Sequence, residues 1–81
     1  MRIERLVTMA NDIAAFFDVD PDREQAPQSI ATHLRRFWDP RMRREIIRHY
    51  RDGGAGLSAA ASSAVELIAG DAVAATVRPQ I

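Results

Sequence analysis

The chain of 81 residues contains no cysteine and no lysine. Without cysteine it can supply no disulfide, no thiolate metal ligand and no iron–sulfur ligation. Two histidines leave little for a metal site. Aromatic residues are few, with three Phe, one Tyr and one Trp. No run of about 18 apolar residues occurs, so the sequence offers no hydrophobic membrane-spanning helix. The start, MRIERLVTMANDIAAFF, is charged and interrupted, unlike a secretory leader. The expectation is one small cytoplasmic domain, near the lower limit for a single hydrophobic core.

Net charge is also lacking, since eleven Arg balance eleven acids. The balance hides a local pattern. Residues 1–32 carry three Arg against six acids, residues 33–51 seven Arg against two, and residues 52–81 one Arg against three. The segment nets are −3, +5 and −2. The basic block, HLRRFWDPRMRREIIRH, holds most of the cations. Arginine pairs with carboxylates and stacks on aromatic rings better than lysine does. A codon bias that also favours Ala explains the all-Arg usage equally well.

The spacing predicts an all-α chain of three to four short helices. Ile3, Leu6, Val7, Ala10, Ile13, Ala14 and Phe17 recur at steps of three and four, which gives an amphipathic helix over about 2–18. Met9 and Phe16 widen its apolar arc on one flank. DVDPDREQAP is acidic, holds two Pro and reads as a loop. A second helix, about 28–38, places Ile30, Leu34, Phe37 and Trp38 inward. Asp39 is suited to cap a third helix and Pro40 to open it. Pro40 also forces Asp39 into extended backbone, which makes a corner.

The third helix, about 40–52, turns Met42, Ile46, Ile47 and Tyr50 inward. Gly53-Gly54 ends it through the left-handed conformation that glycine accepts. Ser58 can cap a fourth helix over about 59–69, with Ala61, Ala64, Val65 and Ile68 on one side. Residues 1–70 form the expected domain, and 71–81 a tail expected to fray. The strong apolar side chains amount to one arc per helix, so part of the first arc has room for a second subunit.

On a helical wheel Arg41, Arg44, Arg48 and Arg51 form one stripe. A solvated face explains such a stripe, and so does contact with an acidic surface or a phosphate. Arg43 falls inside the apolar arc and must find a partner, with Asp12, Asp18 and Asp39 as candidates. Arginines near Phe37, Trp38 and Tyr50 could grip phosphates and stack bases. The neutral whole chain speaks against a nucleic-acid module. His33 and His49 lie on different helices with no adjacent nucleophile, and the serines sit in no nucleophile motif. DGGAGLS lacks the spacing of a phosphate-binding loop and is explained as a helix stop followed by a helix start.

MANDIAAFF (9–17), HLRRFWDPRMRREI (33–46) and GGAGLS (53–58) occur in that order. Together they closely resemble the delta subunit of soluble NAD-dependent molybdenum formate dehydrogenases, over residues 7–70. The family's usual Pro after Gly-Leu is Ala here, at Ala59 or Ala60, and the tail from Gly70 has no counterpart.

The resemblance implies a non-catalytic accessory subunit. The implied enzyme interconverts formate and carbon dioxide on a large alpha subunit holding bis-molybdopterin guanine dinucleotide and iron–sulfur clusters. Other subunits carry further clusters, FMN and the NAD site, and none of these groups is expected on this chain. The expected partner is the alpha subunit, whose assembly or stability the chain would support. Joined to the residue pattern, the resemblance makes Trp38, Asp39, Pro40, Arg41, Arg44, Arg48 and Arg51 the docking surface, with Met9 and Phe16 as a second contact. Trp38 serves as an anchor there only if it is not buried. A bolder variant has the stripe meeting phosphates of the molybdenum cofactor during insertion. The rivals are a nucleic-acid module using the Arg-rich helix and a homo-oligomer paired through the first helix.

Overall fold

A computed structural model of the chain describes residues 2–19 and 23–76. Within them the order is α1 (Ile3–Asp18), a 3-10 turn (Arg23–Gln25), α2 (Ala26–Phe37), α3 (Pro40–Arg51) and α4 (Ala59–Thr76). No strand occurs among the described residues. The all-α expectation therefore holds.

Each helix begins and ends for a local reason. Asp39 sits in extended backbone and its carboxylate accepts the Met42 N–H at 2.8 Å, so it caps α3 ahead of Pro40. Ser58 Oγ accepts the Ala61 N–H at 3.2 Å and caps α4. At the end of α3, Gly54 N–H donates to His49 C=O at 2.9 Å and Gly53 N–H to Tyr50 C=O at 3.1 Å. That paired pattern closes a helix, and it holds Gly53 at φ 117°, where a side chain would be strained.

Two boundaries differ from expectation. α2 starts two residues earlier than the pattern suggests, because Pro27 occupies its first turn, where a missing N–H costs nothing. α4 runs on through Gly70 to Thr76 rather than stopping at 69. The rest of the expected tail, 77–81, lies outside the described residues, as do residues 20–22 of the acidic loop.

Among the described residues the core is built from Leu6, Ile30, Leu34, Trp38, Ile46, Ile47, Val65 and Ile68, with seven buried alanines between them. The alanines Ala10, Ala14, Ala26, Ala31, Ala61, Ala64 and Ala69 let helix backbones approach closely. Of the five buried residues described on α4, four lie on the side that the spacing predicts, and the helix packs against all three other helices. α1 packs against α2 and α3 as well. A fully buried Leu or Ile contributes about 1.5–3 kcal/mol relative to exposure, so these few side chains carry much of the stability.

One inward assignment is corrected. Phe37 is 69 % exposed, while its neighbour Trp38 is 5 % exposed and belongs to the core. Trp38 follows the last helical residue in extended backbone, φ −88° and ψ 137°. That conformation lets Trp38 point inward and leaves Phe37 outside.

Candidate functional site

Two surfaces and one tethered loop distinguish the molecule. The first surface is the outer face of α3. Arg41, Arg44, Arg48 and Arg51 are all exposed there, at the three–four–three spacing of one helical stripe. Among the described residues the stripe has one ion pair, Arg41 to Glu45 at 3.7 Å, an exposed pair of little energetic weight.

Arg43 is not part of that stripe and is half-buried. None of Asp12, Asp18 or Asp39 is its partner. Its Nη1 donates to the carbonyls of Arg35, at 3.1 Å, and of Trp38. Both carbonyls lie at the end of α2, where C=O groups have no partner within the helix and carry partial negative charge. A guanidinium satisfies them as a carboxylate-seeking reading of the sequence could not anticipate. Arg43 thereby fixes the corner at Asp39-Pro40. Arg35 reaches the other way and pairs with Asp71 on α4, an exposed contact.

The corner thus has structural work of its own. Trp38 is in the core, so the condition for an exposed anchor is not met. Asp39 and Pro40 remain exposed, and both are explained as the start of α3.

The tethered loop is the segment 52–58. Asn11 Nδ2 donates to Gly56 C=O at 2.8 Å, and the Ser58 N–H donates to Asn11 Oδ1 at 2.9 Å. His49 Nε2 lies 2.7 Å from Ala55 C=O, which assigns it the donor role there. Gly56 has φ 86°, and a Cβ on it would stand 3.3 Å from a Val7 methyl. The asparagine in MANDIAAFF and the GGAGLS segment are therefore parts of one contact. The sequence held both, yet nothing in it joined them.

The second surface is an aromatic ribbon across α1 and α2. Phe16 and Phe17 pack edge-to-face at 5.3 Å between centroids. Phe17 faces His33 at 6.4 Å, and His33 faces Phe37 at 4.7 Å. These separations suit mutually attractive aromatic pairs. The Arg36 guanidinium carbon lies 5.8 Å from the Phe37 ring centre, within reach of a cation–π contact. Phe16 is 73 % exposed, whereas Phe17 and His33 are half-buried. Of the ribbon only Phe16 belonged to the sequence-derived surface; Phe17 was absent, and so were His33 and Phe37. Their spacing of four residues on one helix was the available signal. Met9 is half-buried against the core, beside an open depression lined also by Arg5 and Asp12.

One ionisable side chain is clearly perturbed. Tyr50 donates to Glu66 Oε1 at 3.0 Å, and that hydrogen bond, with partial desolvation and the Glu66 charge, pushes the phenol above its usual 10.0. Among the described residues no group of three or more His, Cys, Asp or Glu side chains is placed to hold a metal ion. No described helix is long and apolar enough to cross a membrane.

The arrangement defines a small helical chain whose distinctive features are an exposed arginine stripe and an exposed aromatic ribbon carried on a compact core. Residues 5–65 match the family described as the NADH-dependent formate dehydrogenase delta subunit, FdsD, and the chain belongs to that family. No curated protein and no solved structure gives a significant match.

Proposed function

We propose that the chain is a non-catalytic accessory subunit that docks on the molybdenum-bearing alpha subunit of a cytoplasmic NAD-dependent formate dehydrogenase and supports its assembly or stability. The observation that carries this reading is the Arg41, Arg44, Arg48 and Arg51 stripe, exposed and with one carboxylate partner, Glu45, among the described residues. Guanidinium forks pair with carboxylates in fixed, bidentate geometry, so such a stripe suits an acidic protein surface. Family membership supplies the complex in which that surface would be found. Of the redox groups of such an enzyme, an iron–sulfur cluster finds no ligands on this chain. It has no cysteine, His49 is engaged with the 52–58 loop, and His33 lies among aromatic rings.

Charge reversal tests the reading. Arg44→Glu with Arg48→Glu should abolish co-purification of the alpha subunit with the tagged chain, while leaving helicity and melting unchanged. Full recovery with the double reversal would remove the stripe from the interface.

A further inference from the structure

The reading above uses the stripe on α3 and leaves the aromatic ribbon on α1 and α2 unexplained. The ribbon has the form of a saddle. Phe16 and Phe37 stand exposed at its two ends, and half-buried Phe17 and His33 make the floor between them. Open depressions flank the floor, one bounded by Asp12, Ile13 and Phe16, the other by Gln28, Thr32 and Arg36. Exposed phenylalanines at both ends of one contiguous aromatic row are costly to leave in water, and such patches mark contact sites.

The surroundings describe the occupant. Arg36 is exposed, lies against the Phe37 ring and has no carboxylate partner among the described residues. A guanidinium beside an apolar ring suits a partner that brings an apolar side chain to the saddle and a carboxylate beside it. A second copy of this chain fits less well. At roughly 200 Å² for each aromatic side chain, Phe16 and Phe37 together expose about 300 Å². A stable dimer needs about 800 Å² on each partner. A larger protein can enclose the saddle while it contacts other faces of the same small chain.

We infer that the Phe16–Phe17–His33–Phe37 saddle is a second docking surface, separate from the arginine stripe, and that it receives an apolar side chain flanked by a carboxylate from a large subunit of the same complex. This rests on the accessory-subunit reading, because that reading supplies the large partner. Phe16 and Phe37 act as the gripping side chains, and Arg36 fixes the orientation of the partner segment. The saddle and the stripe share no residue, so their contributions separate by mutation.

The test uses the full-length tagged chain purified from its native cells, with large-subunit recovery measured by mass spectrometry. Phe16→Ser with Phe37→Ser should lower recovery at least tenfold, and Arg36→Glu several-fold, with helicity and melting of the free chain unchanged. A photo-crosslinking amino acid at position 16 should join the chain to a large subunit. Wild-type recovery with the double serine variant overturns the inference, and so does a crosslink to a second copy alone. If that variant recovers fully while Arg44→Glu with Arg48→Glu does not, the saddle fails and the accessory reading stands. If the wild-type chain itself brings down no large subunit, the accessory reading fails and takes the saddle with it.

Discussion

Asn11 accepts a hydrogen bond from the Ser58 N–H at 2.9 Å, although 47 residues separate them in the chain. Ser58 is the residue that caps α4, so its own backbone N–H has no partner within that helix. In many helices a Glu or Gln in the first turn would reach back to accept it. Here a side chain on α1 does so, and its amide nitrogen binds Gly56 C=O as well. The helix start is thus completed only when the bundle closes.

Replacing Asn11 by Ala removes both bonds. The expected loss is about 1–2 kcal/mol of folding stability. For a domain of this size that lowers Tm by roughly 5–15 °C. Asn11→Asp keeps the acceptor for Ser58 but sets a carboxylate against the Gly56 carbonyl, so it should not restore the wild-type value. Thermal melts followed by circular dichroism measure both. An unchanged Tm for Asn11→Ala would show that the loop closes without this tether.

Arg43 should behave differently from its neighbour Arg44. Arg43→Met strands the α2 carbonyls of Arg35 and Trp38 and should cost about 1–2 kcal/mol. Arg44→Met removes an exposed side chain from α3 and should stay within about 0.5 kcal/mol of wild type. Urea denaturation of the two variants provides the comparison. Equal stabilities would mean that Arg43 does not secure the corner.

The two adjacent aromatics at positions 37 and 38 give a sharper contrast. Trp38→Ala removes a buried indole and should cost about 3–5 kcal/mol, a large share of what a small domain has. Phe37→Ala should cost well under 1 kcal/mol, because the ring is mostly in solvent. Trp38 is the single tryptophan, so its emission reports on the site directly. Blue-shifted fluorescence that resists acrylamide quenching is expected. Strong quenching would place the indole outside the core.

Tyr50 sets an alkaline limit. Its folded pKa is raised by the bond to Glu66, so its contribution is complete below the unfolded value near 10.0 and is lost as pH rises through the higher folded value. Stability should therefore decline above about pH 10, and Tyr50→Phe should flatten that part of the profile. Tyrosinate absorbance reads the single Tyr without interference from another. A folded-state titration at or below that of a free tyrosine would contradict the assigned hydrogen bond.

Much of the fold was legible because its signals are local. The α1 and α3 arcs, the Asp39 and Ser58 caps and the Gly53 stop each depend on residues within a turn of one another. Positions 37 and 38 were ambiguous because they lie three and four residues after Leu34 with both aromatic, and period alone admits both. The extended backbone at Trp38 decided between them. The length of α4 was hidden because an Ala-rich segment offers little contrast between faces, and the helix runs on through Gly70.

The candidate surfaces were legible in part for the same reason. The arginine stripe lies on one helix, and spacing reveals it. The saddle joins two helices, so its members carry no common spacing. Arg43 misdirected the search because its partners are main-chain carbonyls, which every residue has and no sequence marks.

The central claim is that this chain works bound to the large subunit of a formate dehydrogenase. Affinity purification of the tagged chain from its native cells, with mass spectrometry and molybdenum and iron analysis of the eluate, tests it most directly. The account predicts a large molybdenum- and iron-bearing subunit at fixed stoichiometry, retained in the presence of nuclease. Elution of the chain alone, or with nucleic acid whose binding falls steeply with salt, would contradict it.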